Sequence, residues 1–313
     1  MNIMAQQTNP QTEAAFRIHP ATLPGPVHLN VSDLQGEIDF YQQIIGLNLN
    51  WNHASGAGLG AGGSDVVQLT RLENARRARN ATGLYHFAIL LPNQRELARV
   101  IARLMLKKWP NYPTDHVMTK TTYLDDPEGN GIELYAESPE DGGWTLKNGE
   151  YITWRKDGSL SSGRDPLDLD ALFGHLEPDD DAGLPMPAET RIGHFHLHVS
   201  HLRESVRFYH EVLGFDLMGM DEKIRMGMVS AGQYHHHIGL NTWKGEGAPP
   251  APDGSLGLRS ISFSLPDDQA LAELAEHARS AGAEITENAA GFEVLDPSRN
   301  RVMFSATPMN DAK

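Results

Sequence analysis

Apolar positions along this chain alternate between two periods, and the same order of periods recurs four times. Each copy opens with a short strand-like run: GPVHLNVSDL (25–34), LYHFAILLPN (84–93), GHFHLHVSHL (193–202) and LRSISFSLPD (258–267). A helical spacing follows. In the first copy Ile38, Tyr41 and Ile45 precede Gly46; in the second the stripe is Leu97, Ile101, Leu104 and Met105. The third, SHLRESVRFYHEVLG, repeats the first, with Leu202, Tyr209 and Leu213 ahead of Gly214. The fourth uses Leu271, Leu274 and Ala278 before Gly282. Glycine ends the first, third and fourth of these helices, as a C-terminal stop signal does. Further strands are predicted at DVVQLTRL, TTYL, GIELYA, HHHIGLNTW, GFEVLD and NRVMFSA, separated by Gly, Asp-Pro and Asn turns.

Each unit therefore reads as β-α-β-β-β. One such unit cannot bury both its helix and its sheet face, so units must pair. The predicted layout is an N-terminal extension over 1–24, modules one and two over 25–138, a connector over 139–190, and modules three and four over 191–307. The connector is rich in Gly, Asp, Pro and Ser, yet it carries Trp144, Trp154 and a short helical pattern at LDLDALFGHL. A long stretch of this kind is either a linker or a functional cover. The tryptophans and the helix favour an ordered strap.

Composition narrows the chemistry. The 313 residues include no cysteine, which excludes disulfides, thiolate metal sites and iron–sulfur clusters. Any metal must use His, Asp or Glu, and fifteen histidines are present. The net charge of −15 argues against nucleic acid as a partner. No apolar run reaches the length of a membrane span. The stretch MNIMAQQTNPQTEAA has neither the basic start nor the apolar core of a signal peptide. A cytoplasmic location without membrane contact is expected, and a homo-oligomer is compatible with the sequence.

The stretch Thr114 to Glu133, TDHVMTKTTYLDDPEGNGIE, resembles the signature of extradiol ring-cleaving dioxygenases. His116, Tyr123, Asp126, Pro127, Gly129 and Glu133 fill its places; Thr122 departs from it, standing where an aliphatic residue is usual. The four-module layout is similar to the vicinal-oxygen-chelate superfamily of glyoxalases, bleomycin resistance proteins and dioxygenases. GLYHFAILLP, YLDDPEGNGIELYA, IGHFHLHV and YHHHIGLNTW together most resemble the four-module catechol-2,3-dioxygenases of bacteria. The fold this implies is α+β: four βαβββ modules forming two domains, with mixed sheets curled around a metal cup.

In that superfamily the metal-facing side chains lie early on a module's opening strand and on its last strand. The apolar patterns align Pro26, His86, His194 and Ser260 at the first place, and Glu133 with Met303 at the second. The resemblance thus implies a His86, His194 and Glu133 triad, two imidazoles and a carboxylate of the kind that holds non-haem Fe(II). Mn(II) accepts the same donors. A carboxylate inside the apolar strand GIELYA also needs a partner on physical grounds. This ligand set requires modules two and three to share a sheet, with one paired to four.

The resemblance assigns His236 of YHHHIGLN as the acid–base group beside the oxygen site, and Tyr123 and His116 to the substrate pocket. Strand alternation would turn His236 away from His235 and His237; a phase shift of one residue would bring those two in instead. His196 and His237 remain candidate substrate contacts, and His28 aligns with His196. The implied reaction is extradiol cleavage of a catechol-type diol by O2, giving a muconic semialdehyde. No Gly-rich dinucleotide loop is present, in keeping with a reaction that takes its electrons from the ring. A glyoxalase-type isomerase or a non-catalytic binding protein would use the same fold. The former would want a further carboxylate, and Met303 does not supply it.

Overall fold

The structure is a computed structural model and describes residues 16–306. The stretch read as lacking a signal peptide, 1–15, and residues 307–313 lie outside the described residues.

Alternation sets which residues line each face. In the strand Arg191–His198, every residue after Arg191 is buried. Side chains alternate along a strand, so His194, His196 and His198 share one face while Phe195 and Leu197 share the other. Phe195 meets Phe263 of the second sheet edge to face at 5.7 Å, and Phe263 continues to Phe215 at 5.2 Å and Phe304 at 5.8 Å. These fully buried rings join the apolar faces of the two sheets into one core. The polar faces are left to line the cups.

Two nine-stranded sheets form, and the modules pair crosswise. In one sheet Gly83–Leu90 runs antiparallel to Arg191–His198, with Phe87 opposite Phe195, so modules two and three join there. The same strand runs parallel to Gly131–Glu137, with Ala88 opposite Glu133. The other sheet repeats this around Gly257–Leu265. That strand runs antiparallel to Val27–Val31 and parallel to Arg301–Ala306, with Ser262 opposite Met303. Modules one and four therefore join there. Both seams cross between the two halves of the chain.

The helices end as their glycines predict, with a refinement. Leu34–Phe40 and Leu202–Arg207 each continue into one π-helical turn, Tyr41–Ile45 and Phe208–Val212. Tyr41 and Tyr209 are buried and donate to Asp126 and Asp296 at 3.0 and 3.1 Å, each anchoring its helix to an Asp-Pro turn. Gly46, Gly214 and Gly282 all take positive φ. In the second helix, Gln94–Leu106, Leu97, Ile101 and Leu104 are fully buried, but Met105 is 53% exposed and does not belong to the inward stripe. The predicted strand HHHIGLNTW shortens to Ile238–Asn241, so the histidine triplet precedes the strand rather than lying on it.

The connector is ordered. Gly142–Lys147, Glu150–Arg155 and Leu160–Ser161 make a small sheet, and Asp165–Pro166 joins the edge of the His86 sheet. The expected helical pattern forms a short helix, Leu169–Phe173. Beyond it, the chain is held by two buried arginines of the second helix. Arg99 donates to the carbonyls of Leu184 and Pro185, and Arg103 to those of Ala182 and Ile45. A buried guanidinium is tolerable because backbone oxygens satisfy its donors.

Because each sheet draws strands from both halves, residues 1–138 expressed alone should lack a cooperative unfolding transition in urea. Circular dichroism against denaturant is the check, and a sharp transition in that fragment would contradict the crosswise seams.

Candidate metal centre

Three strands at the middle of one sheet carry the centre. Glu133 stands on Gly131–Glu137, His86 on Gly83–Leu90 and His194 on Arg191–His198. All three residues are buried, between 3% and 5% exposed. Both imidazoles converge on one oxygen: His194 Nε2 lies 3.0 Å and His86 Nε2 3.1 Å from Glu133 Oε2. One donor atom from each residue lies within 4.8 Å of the others, so this group could hold a metal ion.

Charge balance follows from burial. Burial alone would raise the Glu133 carboxyl, but His194 and His86 outweigh it and hold the group well below the usual carboxylate range. Burial lowers His86, against the opposing pull of Glu133. The carboxylate is thus ionised beside a neutral His86 ring. Both His86 ring nitrogens and Nδ1 of His194 lack a hydrogen-bond partner; the 3.1 Å approach of His86 to Glu133 is not aligned as a hydrogen bond. Each such orphan costs about 1–3 kcal/mol. A cation with ligand bonds of about 2.1 Å holds neighbouring donors about 3 Å apart, which is the spacing found here. The donor set therefore fits a divalent metal.

Around this centre the structure distributes the other predicted residues unequally. Tyr123 is opposite Glu133 across the sheet and its ring lies 5.4 Å from that of His86. Burial, and then Glu133, raise its hydroxyl well above the usual range, so it stays protonated. His116 Nδ1 donates to the carbonyl of Gly163 in the connector. In the neutral ring Nε2 is then an acceptor, and it takes the Tyr123 hydroxyl at 2.8 Å. The connector thus closes over this side of the cup. His196 lies beside His86, ring centroids 5.1 Å apart, and packs on Tyr85 and Trp243.

The histidine triplet divides differently from either strand phase. His236 lies 4.2 Å from the His194 ring and His235 6.1 Å, both by centroid. His194, His235 and His236 also bring donor atoms within 4.8 Å of one another. Burial, then His194 and His235, hold His236 well below its ordinary value. His237 turns away: its Nδ1 accepts the Ala231 N–H at 3.0 Å and lies 3.1 Å from the Ser230 hydroxyl. The structure does not bring it to the Glu133 cluster. Alternation could not sort these three because they lie in a loop. His28 is in the other sheet, with Nε2 2.7 Å from the Thr70 hydroxyl.

Two residues near the centre escaped sequence reasoning. Tyr135 packs on His194 at 5.2 Å, and its hydroxyl reaches that of Tyr234, which also donates to Glu137. This latch ties the triplet loop to the glutamate strand. Tyr135 stands two residues beyond Glu133, so alternation along GIELYA was the available signal. Tyr85 packs on His86 at 4.9 Å, and nothing in its sequence neighbourhood marks it.

With this geometry in hand, comparison with known proteins places the chain. The profile of the Glyoxalase/Bleomycin resistance protein/Dioxygenase superfamily matches residues 18–134 and 191–304, and the chain belongs to that superfamily. A catechol-2,3-dioxygenase of Bacillus subtilis strain 168 is 38% identical over 286 residues, covering 90% of this chain and 95% of the relative. Among solved structures, a putative dioxygenase from Bacillus subtilis superposes with a TM-score of 0.62 at 14% identity, covering 94% of this chain and 87% of that one. Glyoxalase I from Zea mays does so with a TM-score of 0.54 at 16% identity, covering 91% and 92%. At these identities the two structures establish the fold alone.

Protonation of His237 offers a check on the loop. Burial, followed by Arg191 and His194, lowers it from 6.5 to about 3. The unfolded chain takes up this proton first, so its stabilising contribution is complete above pH 6.5 and is lost as pH falls toward 3. The urea midpoint should drop between pH 7 and pH 4, and drop less in His237→Asn, which keeps an acceptor without a titrating ring. An identical drop in both proteins would contradict this placement.

Proposed function

We propose that this protein is an extradiol dioxygenase that opens a catechol-type ring with O2 to a muconic semialdehyde. The carrying observation is the convergence of two imidazoles and an ionised carboxylate on one buried point, in a chain related to a named catechol-2,3-dioxygenase. His86, His194 and Glu133 would hold Fe(II); Mn(II) suits the same donors. The bound ion would supply Lewis acidity, electron transfer and open positions for the two reactants.

The protein's own groups divide the remaining work. Tyr123 stays protonated and donates its hydroxyl hydrogen bond to His116, which leaves its oxygen lone pairs free to accept a diol hydroxyl and orient the ring. The neutral His236 ring has no hydrogen-bond partner among the described residues, so it can take a proton from the substrate and return it. The connector, held by the His116 to Gly163 bond, limits water on this side of the cup. In the net reaction the carbon–carbon bond beside the diol breaks and both atoms of O2 enter the product. The ring supplies the electrons, so no external reductant is required.

Anaerobic loading with Fe(II), followed by oxygen uptake and absorbance scanning against a catechol panel, tests the reading. A yellow semialdehyde of the expected mass is predicted. Colourless muconate, or oxygen-independent conversion of a hemithioacetal, would overturn it. His86→Ala, His194→Ala and Glu133→Ala should each abolish tight metal binding and turnover, whereas His28→Ala should retain the metal. His236→Phe should keep metal and catechol binding but lower kcat by about 10²–10⁴-fold, the usual worth of general acid–base catalysis. Unchanged kcat at saturating oxygen would remove His236 from the mechanism.

A further inference from the structure

The cup built by modules one and four has lost its ligand residues but not its space. Strand register makes Ser260 the counterpart of His86 and Met303 that of Glu133: Ser262 faces Met303 as Ala88 faces Glu133. Ser260 and Met303 line a cavity of about 1160 Å³ that also reaches the neighbouring loops. Its walls are charged. Arg77, Lys244, Arg259, Arg299 and Arg301 stand against Asp125, Asp253 and Glu293, five cations to three anions, an excess of two positive charges in a chain whose net charge is −15.

Several of these cations lack partners. Arg301 pairs with Glu293, and Arg77 donates to the Glu128 carbonyl and to Asn130. The side chains of Lys244, Arg259 and Arg299 make no ion pair or hydrogen bond among the described residues. All three are exposed, so water serves their donors and leaves them open to a ligand on the cavity wall.

Arg299 carries the second argument. It occupies the Asp-Pro turn of module four, where Asp296 accepts the N–H groups of Ser298 and Asn300. Module two builds the same turn on Asp126, with Gly129 at the matching place. Gly129 has φ +83, and Arg299 is held at φ +67. That left-handed region disfavours any side chain and suits glycine. Arg299 therefore carries a backbone cost at the lip of the cavity that a glycine in its place would not.

We propose that this cavity is a second ligand site, for a small molecule bearing an anionic oxygen group, with Arg259 and Arg299 as its charged contacts. Arg259 is felt electrostatically inside the cavity: after burial, it is the cause that lowers His28 on the same wall to about 4. A neutral His28 leaves the arginines and Lys244 to recognise the anion. Carboxylate and phosphate share this chemistry, and the experiment separates them.

Isothermal titration of the full-length, metal-loaded protein with inorganic phosphate, and separately with succinate, reads the site directly. Saturable one-to-one binding of at least one anion is expected, and the tighter of the two identifies the group recognised. Arg259→Ala and Arg299→Ala should each weaken binding by about tenfold or more, the worth of one charge-assisted hydrogen bond. Arg299→Gly should raise the melting temperature as strain is relieved while still losing affinity. No saturable binding of either anion, or affinity unchanged in these variants, overturns the proposal. A lower melting temperature with intact binding in Arg299→Gly does so too. The readout is binding heat, so it stands apart from the ring-cleavage reading.

Discussion

A carboxylate removed from water is costly to ionise, and Glu133 is both buried and ionised. The cost is offset only because His86 and His194 reach the same oxygen from two different strands. Those strands belong to opposite halves of the chain, and their antiparallel pairing brings the two rings together. Much else in the protein serves that seam. Phe87 and Phe195 lie opposite each other in its register, and Phe195 packs on Phe263 of the other sheet. The connector must then span from the end of module two to the start of module three, and it does so across the cup.

The repeat leaves one cup with a converging His86, Glu133 and His194 donor set and the other without it. Modules one and three share the tyrosine anchor, and modules two and four share the Asp-Pro turn that receives it, so the backbone repeats closely. Side chains on the cup-facing positions are free to differ, because the apolar face alone sustains the core. Glu133 against Met303 and His86 against Ser260 show that freedom. Gly129 against Arg299 shows it again, this time where the backbone itself resists the substitution.

Much of this was legible in the sequence, for identifiable reasons. The fourfold repeat shows because strand and helix periods differ, and glycines punctuate them. Crosswise pairing follows from asking where His86, Glu133 and His194 could meet. What stayed hidden was of another kind. His235, His236 and His237 sit in a loop, where a period of two has no meaning, so strand phase could not sort them. Met105 keeps the i, i+4 spacing from Ile101 yet stands exposed in the last turn of its helix, off the buried stripe. The connector's role depends on Arg99, Arg103 and His116 reaching its carbonyl groups, contacts that no local pattern announces.

Anomalous diffraction from crystals grown anaerobically with Fe(II) addresses the central claim most directly. The account predicts one strong iron peak within bonding distance of His86 Nε2, His194 Nε2 and Glu133. A peak held by His194, His235 and His236 instead, the other group of converging donors, would contradict it. So would a fully loaded crystal with iron only at the surface.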